Sequence, residues 1–312
     1  MSKARQLADL GGVTTRLDEV GNTDGALSNR NMIINGGFTV WQRGTSGSAG
    51  SGFTMDSADR WYSVRGALSQ ETENSMPYAH ITHGNYADSC YINHRIEDFT
   101  HTLGQQVTLS FKIKSDDGLG ADGGVFVRYY TSSNNYAVCQ PQTTFTYGST
   151  WTTITYTFTM PTTTPKGAGY GLEFFLYGDL SSINNNGKTF DIKEVQFELG
   201  DTATPFEHRS YGDELARCQR YYQTNNDATG QPWFRSGTVG SSESGNRESI
   251  PLHTTMRVAP TASLVSSTLI NIASGSPYVG LTTNTSLAIN CGVNTSNSHF
   301  RYGIYWTADA EL

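Results

Sequence analysis

Proton-transfer chemistry needs two carboxyl groups, or a carboxyl and an imidazole, held close together. The sequence offers Asp56 with Asp59, Asp116 with Asp117, and Glu173 with Asp179, none of them inside a distinctive motif. Asp116 and Asp117 open the Gly-rich stretch DDGLGADGG at 116–124, where Asp is favoured for turn hydrogen bonds, so a turn role is expected of them. No GxSxG, HExxH or GxxxxGK[ST] pattern occurs, and the histidines show no ligand spacing. Cys90, Cys139, Cys218 and Cys291 lie far apart without a CxxC or Cys/His pairing, so buried free thiols are expected rather than a metal or disulfide framework. Nothing in this inventory points to catalysis, and a protein that is not an enzyme is expected.

Holding a polyhydroxylated ring makes different demands: an aromatic surface for its apolar side and a few polar groups fixed on rigid strands. Alternation supplies such a set. If Val125, Val127 and Tyr129 point inward, then Phe126, Arg128 and Tyr130 point outward; Glu173, Phe175 and Tyr177 likewise take the face opposite Leu172 and Phe174. Arg128, Tyr130, Glu173 and Tyr177 are therefore candidate ligand residues, although cross-strand packing or an intersubunit contact would use the same side chains. Towards the C-terminus, Trp233, Tyr278 and Tyr305 with the loop at 294–298 form a second candidate surface, led by Trp233 and Tyr305.

These residues need a strand scaffold to position them. Charged residues make up 16% and aromatics 12% of the 312 residues, a balance that argues against disorder. The bias towards Thr, Ser, Asn, Gly and Tyr suits strands and tight turns, and the fold class expected is all-β. Strand-like runs near 32–42, 58–65, 89–97, 106–114, 124–131, 151–160, 168–178 and 189–198 suit a two-sheet jelly roll. In the clearest run, Ile154, Tyr156, Phe158 and Met160 alternate with Thr153, Thr155, Thr157 and Thr159. A helix over 211–222 would put Leu215, Cys218 and Tyr222 on one face. Short strands near 233–241, 249–257, 261–270, 286–291 and 299–306 then suggest a smaller β-sandwich, with Phe300, Tyr302, Ile304 and Trp306 inward.

The organisation expected is an arm over 1–30, a jelly roll over 31–210, a connecting helix over 211–223 and a C-terminal β domain over 224–312. In the arm, the spacing of Leu10, Val13, Leu17 and Val20 would let them pack between subunits, for docking or oligomerisation. Gly36, Gly37 and Gly44 mark bends or close backbone approach, and Trp41 and Trp61 are expected in the core. A net charge of −7 without a basic run leaves no footprint for nucleic acid or an anionic membrane. No secretory or membrane-spanning segment is recognised, so synthesis in a cytosol is expected.

The segment NRNMIINGGFTVWQRGTS at 29–46, with ADRW at 58–61, closely resembles the opening of a domain widespread in bacteriophage tail-fibre and receptor-binding virion proteins. VQFELGDTATPFEHRSYGDELARCQRYYQ at 195–223 resembles the closing strand of that domain and the helix after it, and the terminal WTADAEL resembles the usual chain end. The resemblance implies a jelly roll similar to carbohydrate-binding modules, carried on a homotrimeric fibre of the virion. It also implies an arm that contacts other virion proteins, and adsorption to a host cell-surface polysaccharide. Such fibres usually carry a long tail-attachment region, whereas about thirty residues precede the sandwich here, so a capsid-borne fibre or decoration protein is the structural alternative. A glycan depolymerase using the scattered carboxylates is the enzymatic one. Related jelly rolls often hold a structural calcium where the first and last strands meet, here at Asn35 and Asp191. Two such ligands fall short of the roughly 6–8 oxygens that calcium takes, so no obligatory cofactor is expected.

Overall fold

The computed structural model describes residues 30–53, 55, 57–86, 89–117, 123–132, 135–164, 171–178, 186–225, 232–237, 245–273, 277–293 and 299–311. Leu10, Val13, Leu17 and Val20 of the expected arm lie outside them. The chain divides into two compact units, one from the described parts of Met1–Thr39, Ser48–Thr54 and Trp61–Arg209, the other from Val40–Gly47, Met55–Arg60 and Ser210–Leu312. Two short segments from the expected 31–210 domain therefore belong with the C-terminal unit, for reasons that their side chains supply below.

The first unit contains β1 (Trp61–Val64), β2 (Gly66–Glu73), β3 (Met76–His83), β4 (Tyr91–Ile96), β5 (Gln106–Lys114), β6 (Gly123–Ser132), β7 (Asn135–Phe145), β8 (Thr152–Thr159), β9 (Leu172–Tyr177) and β10 (Thr189–Leu199). They form two five-stranded antiparallel sheets, ordered β1-β4-β9-β6-β7 and β2-β3-β10-β5-β8, a jelly-roll β-sandwich. Val125, Val127, Leu172, Phe174 and Leu176 from the first sheet are buried together with Val107, Leu109, Phe111, Ile113 and Phe197 from the second. Each such side chain contributes roughly 1.5–3 kcal/mol relative to an exposed position. Phe174 and Phe197 touch across the sandwich with ring centroids 4.6 Å apart. On β8 the four alternating threonines are exposed while Phe158 and, just beyond the strand, Met160 are buried, as the period of two demands.

The run near 32–42 is not a strand. It turns back on itself: Asn35 and Phe38 have φ of 59° and 52°, and Phe38 N–H donates to the Asn35 carbonyl at 3.1 Å. The side chain of Asn31 ties the turn to β10, accepting from Phe197 N–H and donating to the Val195 carbonyl. A Cβ on Gly36 would collide with that same carbonyl, so Gly36 marks the close backbone approach expected of it. Trp61 is 1% exposed and donates its indole N–H to the Asn35 carbonyl at 2.9 Å; Trp41 is only half-buried. Three strands escape the sequence reading: β2 and β3, whose alternation is broken by charged, histidine and proline residues, and β7, whose Pro141 is tolerated because β7 is an edge strand.

The second unit contains helix α1 (Tyr211–Gln219), then β11 (Tyr222–Thr224), β12 (Trp233–Gly237), β13 (Gly245–Pro251), β14 (Thr261–Ile270), β15 (Tyr278–Thr282), β16 (Ser286–Gly292) and β17 (Phe300–Asp309). Ser210 caps α1 by accepting from Asp213 N–H at 3.2 Å, with Asp213 and Glu214 in the first turn and Arg217 in the last. The helix stops short of the expected residue 222 because Tyr222 joins β11 and pairs with Asp309. Strand β17 pairs with β14 and with β11 and β12, while β13, β16 and β15 form a second sheet. Between them lie Leu287, Ile289 and Cys291 together with Phe300, Tyr302, Ile304 and Trp306, the last four on alternate positions as expected. The strand expected at 249–257 runs instead over Gly245–Pro251, and β11 and β15 are additional.

Candidate functional site

In the first sheet, register places three cross-strand rows on the face turned away from the sandwich core. One row is Tyr62, Asn93, Phe175 and Phe126; the next is Arg95, Glu173 and Arg128; the third is Val64, Tyr91 and Tyr177. Arg128, Glu173 and Tyr177 thus share a face, as alternation predicts. Tyr130 lies two residues beyond Arg128 on β6, paired with Tyr136, and its side chain is outside the described set.

Glu173 does not serve as an exposed ligand residue. It is 0% exposed, and it accepts from Arg128 Nε at 2.6 Å, Arg95 Nε at 2.8 Å and Asn93 Nδ2 at 2.6 Å. A carboxylate between two strands can be buried only if its lone pairs are met, and the two arginines meet them. Each guanidinium also lies over a ring, Arg95 at 4.7 Å from Tyr62 and Arg128 at 4.2 Å from Phe175. Arg128 keeps 12% of its side chain exposed, at the margin of the face rather than in the open.

Beside this ion cluster lies an aromatic cluster in which Tyr91, Tyr177 and Phe126 are half-buried around the buried ring of Phe175. The Tyr91 and Tyr177 rings are 4.8 Å apart, Tyr91 and Phe175 5.2 Å, and Phe126 and Phe175 5.7 Å. Phe53, 45% exposed, approaches Tyr91 edge-on at 6.4 Å. Tyr91 and Tyr177 are half-buried, and neither phenol hydroxyl has a hydrogen-bond partner among the described residues. Burial pushes both phenols above their ordinary value, partly offset by Arg65 and Arg128, so both remain neutral hydroxyls that can donate and accept. Sequence reasoning missed Tyr91 and Phe53. For Tyr91 the signal was present, because Tyr91, Asn93 and Arg95 alternate with Ile92, His94 and Ile96.

The C-terminal candidates fall in the other unit. Trp233 is half-buried and packs against the second core, 6.2 Å from Tyr302. Tyr305 is half-buried on the face of β17 opposite Tyr302, Ile304 and Trp306; the loop at 294–298 lies outside the described residues. Asp191 is engaged by His80 at 2.7 Å and Lys114 at 3.6 Å, and Asn35 Oδ1 accepts from Thr39 N–H at 2.9 Å. Both side chains thus have protein partners. Among the described residues no group of three or more His, Cys, Asp or Glu side chains is placed to hold a metal. Asp117 Oδ2 accepts from the backbone N–H and the hydroxyl of Thr189 at the start of β10, 72 positions away, a tether to another strand rather than the turn hydrogen bond expected of it; Asp56 and Asp179 lie outside the described residues.

In the second unit four of the quoted motifs converge. Gln42 and Arg43 come from WQRG, Asp59 and Arg60 from ADRW, Tyr221 and Tyr222 from the RYYQ stretch, and Asp309 and Glu311 from the chain end. Gln42 donates to both Asp59 oxygens, at 2.6 Å from its backbone and 2.9 Å from its side chain. Arg43 bonds Asp309 at 3.0 Å and Glu311 at 3.3 Å, and Arg60 also pairs with Glu311. The two guanidiniums lie 3.6 Å over the rings of Tyr222 and Tyr221 respectively. These bonds hold 40–47 and 55–60 in the C-terminal unit.

No family model matches the chain, and no curated protein matches it. Among solved structures, one described as "CBM4 structure and function" is 17% identical over 54% of this chain and 100% of that one, with a TM-score of 0.38. A putative sugar binding protein from Bacteroides thetaiotaomicron is 13% identical over 55% of this chain and 100% of that one, with a TM-score of 0.37. The enzymatically active domain of tailspike protein 4 of bacteriophage CBA120 is 13% identical over 55% of this chain and 21% of that one, with a TM-score of 0.36.

Proposed function

We propose that this chain is a bacteriophage virion fibre subunit that attaches to a host surface polysaccharide through the outer face of β1-β4-β9-β6-β7, without cleaving it. The observation that carries the binding reading is the Tyr91–Tyr177 pair: two adjoining rings, 4.8 Å apart, whose hydroxyls have no partner among the described residues. The apolar side of a sugar ring packs on such a surface, and its hydroxyls exchange bonds with the two phenols. Arg128 supplies a further donor at the margin. The virion reading is supported by the motifs at 29–46, 58–61 and 195–223 and at the chain end.

A fibre does not need a deep pocket. A millimolar contact is worth roughly −4 kcal/mol, and linking copies in a homotrimer raises avidity by about 10²–10⁴. The N-terminal arm is the segment that would dock on other virion proteins. The test is competition: purified chain, shown to be trimeric by light scattering, is added to host cells before the phage. Blocked adsorption, lost in a Tyr91→Ala/Tyr177→Ala variant that still folds, is the expected result. Failure of the wild-type chain to bind cells or block adsorption would overturn the proposal, and shortening of isolated polysaccharide would replace it with a depolymerase.

A further inference from the structure

The second unit carries a depression of 480 Å³, within the about 300–1,000 Å³ typical of small-molecule sites. Its floor is the face of β11, β17 and β14 on which Tyr222, Asp309 and Thr261 form one cross-strand row and Thr307 and Ser263 the next. The hydroxyls of Thr261, Ser263 and Thr307 make no hydrogen bond with any described residue. The carboxylate of Asp309 is 41% exposed, and Arg43 reaches it from above the Tyr222 ring. Tyr305 stands on the same face of β17, one row beyond Thr307.

We infer that this depression binds a neutral saccharide unit, a second contact separate from the tyrosine face and independent of it. The polarity selects the ligand. Three hydroxyls without a partner among the described residues, one carboxylate and one guanidinium call for a molecule with several groups that both donate and accept, which a hexose has. Charge excludes the alternatives: Arg43 already occupies the carboxylates where a cation would sit, and Asp309 and Glu311 repel an anion.

The test uses the full chain with labelled threonine methyl groups, titrated with methyl glucoside, methyl galactoside or N-acetylglucosamine, and with methyl glucuronide as the acidic probe. At least one neutral probe is expected to shift the Thr261 and Thr307 methyl signals with a midpoint in the millimolar range, about 1–10 mM. Removing two hydroxyls in Ser263→Ala/Thr307→Val should weaken the response read at Thr261 about thirtyfold, about fivefold for each lost hydrogen bond. The glucuronide should bind more weakly than its neutral counterpart, and Tyr91→Ala/Tyr177→Ala should leave the titration unchanged. The inference is overturned by the absence of a shift with every neutral probe up to about 100 mM, about ten to a hundred times the midpoint expected. An unaltered midpoint in the double variant, or glucuronide binding as tight as that of the neutral sugar, would overturn it equally.

Discussion

Glu173 on β9 accepts a 2.6 Å hydrogen bond from Nε of Arg128, the residue directly opposite it on β6. With Arg95 bonding the other carboxylate oxygen from β4, one buried acid joins three strands. Removing it leaves two guanidiniums facing each other with little water to screen them. Glu173→Ala should cost about 3–5 kcal/mol in urea unfolding, and Glu173→Gln less, because an acceptor oxygen remains. A cost within about 0.5 kcal/mol for the alanine variant would show that the ion cluster holds nothing.

The tyrosine face makes the opposite prediction. Because the Tyr91 and Tyr177 hydroxyls have no partner among the described residues, Tyr91→Phe and Tyr177→Phe should leave stability within about 0.5 kcal/mol. Binding to host polysaccharide should fall about fivefold per hydroxyl, the equivalent of one neutral hydrogen bond. Affinity measured on immobilised polysaccharide separates the two effects. Unchanged affinity in both variants would remove the hydroxyls from the site.

Asp59 gives the second unit a pH dependence. Burial pushes its carboxyl from the ordinary 3.8 up to about 7, against the hydrogen bonds of Gln42 and the charge of Arg43. A folded-state value above the unfolded one means that the folded unit holds the proton more tightly. The stabilisation is therefore complete below about pH 4 and is lost as pH rises through about 7. The melting temperature of this unit should decline between about pH 4 and 7 and level off above, and Asp59→Asn, which carries no ionisable proton, should flatten that decline. A midpoint that rises over this range, or an equally steep decline in Asp59→Asn, contradicts the assignment.

All four cysteines are free and buried. Burial raises Cys139 and Cys291 to about 11 and Cys90 and Cys218 further, so thiolate is scarce at neutral pH. A thiol reagent should leave the native chain untouched and titrate four thiols after unfolding. Rapid modification of native protein would place at least one cysteine at the surface.

Alternation is a local property, and where it was unbroken it could be read. The inward set Val125, Val127, Tyr129, Leu172 and Phe174, and the later set Phe300, Tyr302, Ile304 and Trp306, are buried as their spacing predicts. It failed where a turn imitates a strand, at 32–42, since apolar residues beside Asn35 and Gly36 serve a reversal as well as an extended run. It also assigned Glu173 to the correct face yet not to its environment, because period two says which side a residue takes and not what covers it.

The all-β class, the identity of the inward faces and the capped helix after Ser210 were determined by the order of residues alone, since each depends on neighbours within a few positions. The buried Arg95–Glu173–Arg128 cluster, the meeting of Tyr91 with Tyr177, and the assembly of Gln42, Arg43, Asp59 and Arg60 with the chain end were decided only by tertiary structure. Those partners lie 17 to 268 positions apart, and no local pattern encodes which strands are brought together by burial of a shared core.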